Sequence, residues 1–176
     1  MTRGIAENFW CWLKRLVLAL ILAIGMLLIM ASPALASIHT YHEQPGQTTH
    51  RSTQSLRDQN DLAWQATLFK RYSGDELQGI YLRLVGFPGQ VTVNPHKDLL
   101  IETGTTAQWS APYQVDGQTK ALPDNVVQYN VTAILDQLQR PIPLTLVVPV
   151  AGSQSRLVVA PYVVEEWLQI YRMGVG

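Results

Sequence analysis

The sequence predicts an α+β fold: a mainly antiparallel β-sheet with a C-terminal helix packed on it, forming a single globular domain after a signal peptide. Three observations carry this expectation. From Leu62 to Val85 apolar residues recur at every second position, the period of a half-buried strand. Leu144 to Val150 is a β-branched run that reads as a buried strand. Pro161 then opens a stretch whose apolar residues Val163, Val164, Trp167, Leu168 and Tyr171 fall on one helical face.

The leader comes first. Arg3, Lys14 and Arg15 make a basic start, and Leu16 to Ala31 follows without a charge or a hydrogen-bonding side chain. Ser32-Pro33 breaks the run, and Ala34-Leu35-Ala36 has the small-x-small pattern of a signal-peptidase site. A spanning helix needs about 20 apolar residues, more than this run supplies. Residues 1–36 therefore read as a signal peptide, with cleavage after Ala36 and an extracytoplasmic address, periplasm or thylakoid lumen. The competing expectation is an uncleaved anchor, which Phe9, Trp10 and Trp12 would suit as interfacial aromatics.

Cleavage changes the composition. The whole chain has 13 Lys+Arg and 13 Asp+Glu. The leader removes three basic residues and one acidic one (Glu7), so the remainder carries a net charge of −2. That balance offers no electrostatic footprint for nucleic acid. The one cysteine, Cys11, lies in the leader. The exported part therefore has no disulfide, zinc thiolate or thiol chemistry.

Residues 37–60 form a polar segment with three of the four histidines, His39, His42 and His50, and at most one edge strand over 52–57. Residues 61–173 hold the β-rich globular domain. Leu62, Trp64, Ala66 and Leu68 alternate with Gln65, Thr67 and Phe69. Ser73-Gly74-Asp75 turns the chain. Ile80, Leu82 and Leu84 then alternate with Tyr81, Arg83 and Val85, so the pair reads as an antiparallel hairpin. Pro88 and Gly89 suit a type II turn, and Phe87 sits at that hairpin tip. Val91, Val93 and 99–102 suggest short strands, and 104–113 a loop carrying Trp109. Asp124 is a plausible helix cap, with Val127, Val131, Ile134, Leu135 and Leu138 on one face, although Val126, Val127 and Tyr129 would also suit a strand. Arg156 to Val159 returns beside the 144–150 strand. Glu165-Glu166 suit the positive end of the last helix's dipole. Trp64 and Trp167 belong to the core.

Three stretches, Arg83-Leu84-Val85-Gly86-Phe87-Pro88-Gly89, Leu157-Val158-Val159-Ala160-Pro161 and Val163-Val164-Glu165-Glu166-Trp167, resemble a family of exported cyanobacterial proteins, itself a domain of unknown function. The resemblance spans roughly Leu62 to Tyr171. It implies a periplasmic or thylakoid-lumen address and transfers no catalytic residue.

Candidate chemistry is sparse. Cleavage after Ala36 would expose Ser37-Ile38-His39. The terminal amine, two amides and the His39 imidazole would then offer a four-nitrogen square plane to Cu(II) or Ni(II). No other cofactor is indicated. His96, with Asp98 or Glu102, is the candidate for an extracytoplasmic hydrolase. Asp58-Gln59-Asn60-Asp61 lacks the glycine and distal glutamate of a calcium loop and reads as a turn. Phe87 and Trp109 are the candidate partner-binding residues. The leading expectation is a non-enzymatic accessory protein of the periplasm or thylakoid lumen acting by contact with a protein at or near a membrane, a membrane complex being one such partner. The metal-binding protein and the hydrolase are the alternatives.

Overall fold

The computed structural model describes residues 17–18, 39–44, 46–115 and 121–174. The chain divides into two compact units, Met1–Leu35 and Ala36–Gly176. Apart from the helical Val17 and Leu18, residues 1–36, where a signal peptide is expected, lie outside the described residues, as do Ser37 and Ile38. No helix among the described residues is long and apolar enough to cross a membrane.

The second unit runs β1 (His39–Gln44), β2 (Gln47–Arg57), β3 (Ala63–Ser73), β4 (Glu76–Gly86), β5 (Leu99–Glu102), β6 (Gln108–Ala111) and β7 (Val126–Asn130). There follow α1 (Thr132–Gln137), β8 (Leu144–Val150), β9 (Ser153–Val159) and α2 (Pro161–Arg172). The strands make two sheets rather than one, in the orders β1-β2-β3-β4-β7 and β6-β5-β8-β9. Every pairing is antiparallel. The α+β expectation, mainly antiparallel with a C-terminal helix, holds.

Alternation decides which residues enter the core. From the five-stranded sheet come Trp64, Ala66 and Leu68, then Ile80, Leu82 and Leu84, then Val127 and Tyr129. The four-stranded sheet adds Leu99, Ile101, Leu146, Val148, Leu157 and Val159 to the same cluster. Val163, Val164, Trp167, Leu168 and Ile170 complete it from α2. Pro161 opens α2 at a position where a missing N–H leaves no bond unmade. The helix end is held from the sheet. Lys70 Nζ donates to Tyr171 O and Met173 O, each at 2.6 Å, and the Tyr72 hydroxyl donates to Met173 O at 3.2 Å. His50 Nε2 lies 3.0 Å from Gly174 O. A buried ammonium thus meets the negative end of the helix dipole.

The structure corrects four expectations. Residues 126–130 are a strand, and only Thr132–Gln137 is helical. Val127 and Tyr129 satisfy a period of two as well as 3.6, and pairing with β4 buries both. Trp109 lies on β6, not in a loop. The 37–60 segment supplies the edge strand β1 and the interior strand β2, not one short edge strand. Glu165 and Glu166 lie beyond the first turn of α2. Glu166 is buried and accepts a hydrogen bond from Gln54 Nε2 at 3.0 Å.

Candidate functional site

The same alternation that fills the core leaves a polar face on the other side of the five-stranded sheet. Register builds that face: Thr49 stands opposite Arg71, Arg51 opposite Phe69, Thr67 opposite Arg83, and Phe69 opposite Tyr81. Phe69 is therefore the centre of the patch, with arginines around it. The guanidinium carbons of Arg71 and Arg83 each lie 5.3 Å from its ring centroid. Arg51 stacks 4.3 Å over the Tyr41 ring and donates from Nη2 to the Tyr41 hydroxyl at 3.0 Å. Arg83 Nε and Nη2 both donate to Gln128 Oε1, at 3.0 and 2.7 Å. Stacking and forked hydrogen bonds fix these planar cations in place, which a lysine could not reproduce.

One glycine makes the patch possible. Gly79 has φ +143°, and a Cβ there would sit 2.9 Å from the Tyr81 ring and hydroxyl. Tyr81 occupies that space, donates from its hydroxyl to Gln78 O at 3.1 Å, and backs Phe69 at 5.4 Å between centroids.

Two clefts open on this face. One, of about 270 Å³, is lined by Thr49, Arg51, Phe69, Arg71 and Arg83 among others. The second, of about 430 Å³, adds His39, Tyr41 and Thr53 and shares Arg51, Gln65 and Thr67 with the first. Among the described residues no carboxylate lines either cleft. The sequence had set Arg83 on the face opposite Leu82 and Leu84. The clustering with Arg51 and Arg71 required the register of three strands.

The residues singled out from sequence are scattered. His39 opens β1, exposed, with its ring 6.1 Å from that of Tyr41. Its proposed co-ligands Ser37 and Ile38 lie outside the described residues. Among the described residues there is no group of three or more His, Cys, Asp or Glu placed to hold a metal. Phe87 is 48% exposed at its turn, where Gly89 takes φ +75°. Trp109 is half-buried against the core and donates from Nε1 to Gln137 Oε1 at 3.1 Å. His96 takes φ +68° and meets Tyr113 edge-on at 5.0 Å. No hydrogen bond among the described residues joins His96 to Asp98 or Glu102. Asp98 accepts from Ser110 Oγ at 2.8 Å, and Glu102 pairs with Arg156.

Titration shifts mark structural groups. Burial tends to raise the Asp58 pKa. Hydrogen bonds from the Asn60 and Leu62 amides, the Trp64 indole and the Ser155 hydroxyl outweigh it and hold the carboxyl below its ordinary value. Burial pushes the Tyr129 phenol up, with Asp98 and Tyr113 adding to the rise. The Tyr171 hydroxyl donates to Asp136 Oδ1 at 2.6 Å, and that bond raises its pKa.

Two antiparallel sheets and a C-terminal helix around one core, with an arginine-bearing sheet face, define a two-sheet α+β domain. The chain belongs to the family described as "Protein of unknown function (DUF3122)", whose match covers residues 36–170. No curated protein and no solved structure matches the chain.

Proposed function

We propose that the chain is a non-enzymatic accessory protein of the periplasm or thylakoid lumen of a cyanobacterium, working by contact with a protein at or near a membrane. The leader supports the address. The observation that carries the contact surface is the fixed cluster of Arg51, Arg71 and Arg83 with Phe69 and Tyr41. Arginine and tyrosine are the residue types that dominate binding energy at protein interfaces, above all where their side chains are already ordered. Exposed Phe87 offers a second contact.

Crosslinking in native membranes tests this. The wild-type chain is expected to capture one defined partner. Arg51→Glu and Phe87→Ala should each reduce the yield while leaving the amount of folded protein unchanged. Capture at background level by the wild type would end the proposal.

A further inference from the structure

We infer that the side-chain amide of Gln59 guards the outer edge of β9 against pairing with a second copy of this chain. This device is separate from the contact face proposed above and sits on the other sheet.

β9 ends the order β6-β5-β8-β9, and among the described residues no strand lies on its outer side. Backbone parity shows which groups point outward. Pro149 stands opposite Gln154, and its carbonyl oxygen accepts from Asn94 N at 2.9 Å, on the side of β8 away from β9. The 149/154 pair is therefore of the kind without hydrogen bonds, and Gln154, Arg156 and Val158 turn their N–H and C=O groups away from β8. Such a row is a template for another strand. β9 itself carries little to discourage one. Its register against β8 is unbroken over 7 residues, it holds no lysine or proline, and Val158 is 65% exposed. Its charged residue, Arg156, is paired with Glu102.

Gln59 reaches this row from the β2–β3 turn. Its Nε2 donates to Gln154 O at 2.9 Å, and its Oε1 accepts from Arg156 N at 2.7 Å. One side-chain amide thus makes the two bonds that a neighbouring strand would make there. A carboxylate could only accept, and an ammonium could only donate. The turn that presents Gln59 is itself fixed. Asp58 is 7% exposed and accepts at 3.0 Å from the hydroxyl of Ser155, the β9 residue between the two that Gln59 holds. At the other end Ala160 O is taken by Val163 N and Val164 N, at 3.0 and 3.2 Å, in the first turn of α2. Between these two stops β9 offers only Arg156 O and the two groups of Val158. That is much shorter than an ordinary strand of about five or six residues.

The test measures molecular mass by light scattering, and amide hydrogen exchange, for the full chain across a concentration series. Gln59→Ala removes both bonds. Its average mass should rise with concentration to about twice that of the wild type, because two such edges pair about a two-fold axis. In dilute solution its Arg156 amide should exchange faster than in the wild type. At high concentration the Arg156 and Val158 amides should both become protected. Adding Val158→Lys, which sets a charge on the edge, should return the mass to the wild-type value. Gln59→Asn, with a side chain one methylene shorter, should behave as Gln59→Ala and decides the matter if that variant does not fold.

Wild-type mass in both Gln59 variants throughout the series would overturn the inference. So would association that Val158→Lys leaves unchanged, or new protection that appears away from Arg156 and Val158.

Discussion

Replacing Asp58 by asparagine is the sharpest test of how this fold is held together. Asp58 is buried where the β2–β3 turn meets β9. Oδ1 accepts from the Asn60 and Leu62 amides at 2.9 and 3.0 Å, and Oδ2 accepts from Trp64 Nε1 at 3.2 Å and Ser155 Oγ at 3.0 Å. An amide keeps one oxygen for the two backbone donors. Its nitrogen then faces an indole N–H and a hydroxyl. The hydroxyl can rotate and accept, but the indole is a donor only. Trp64 is 2% exposed, so its N–H would be left unpaired in the core. One such group costs about 1–3 kcal/mol, and the remaining bonds lose their charge assistance, giving about 2–4 kcal/mol in all. At about 3–5 °C per kcal/mol for a domain of this size, the melting temperature should fall by roughly 6–20 °C. The pH dependence follows from the depressed carboxyl pKa. Stability contributed by the charged form is fully present above the unfolded value of about 3.9 and is lost as pH falls through the lower folded value. The gap between wild type and Asp58→Asn should therefore be widest at neutral pH and narrow in acid. Denaturant melts from pH 7 down to pH 3 would read both effects. A neutral-pH difference under about 0.5 kcal/mol, or two parallel pH profiles, would refute the reasoning.

Gly79→Ala should cost about 1–3 kcal/mol, because the methyl meets the Tyr81 ring at 2.9 Å and φ is +143°. An unchanged melting temperature would show that Tyr81 has other room. Lys70→Met should cost about 1–3 kcal/mol, removing two charge-assisted bonds to carbonyls at the end of α2 while the Tyr72 hydroxyl keeps one of them satisfied. Hydrogen exchange of the 170–173 amides should rise in that variant ahead of the rest of the chain. Uniform exchange would count against a local clamp.

Local pattern made much of the fold legible. The β3–β4 hairpin was plain because its apolar residues alternate cleanly and Ser73-Gly74-Asp75 interrupts them. The last helix was plain because Pro161 and a single apolar stripe agree. Residues 126–138 defeated pattern reading for a specific reason: positions 127, 131, 134, 135 and 138 fit a helix, while 127 and 129 fit a strand. Only the neighbouring β4 decides between them. The polar strand β2 was hidden because its burial depends on distant chain. His50 and Lys70 are buried, yet their carbonyl partners lie at least 101 residues further along. The arginine-bearing face was half visible. Arg83 and Phe69 fell on the non-core face by parity, but Arg51 came from a segment read as polar, with at most one edge strand.

The two faces of the five-stranded sheet give the contact proposal its physical sense. Trp64, Leu68, Leu82 and Leu84 on one face are committed to the core and set the strand positions that the other face inherits. Phe69 and Tyr81 are 4% and 5% exposed although they belong to the outer face. They form a second, smaller packed layer, covered among the described residues by Arg71 and Arg83. The guanidinium groups of Arg71 and Arg83 rest on this layer, each 5.3 Å from the Phe69 ring centroid. Side chains ordered in this way spare part of the entropy that binding a partner would otherwise cost. The response to Gly79→Ala measures that order, because it loosens the supporting layer without touching a single charge.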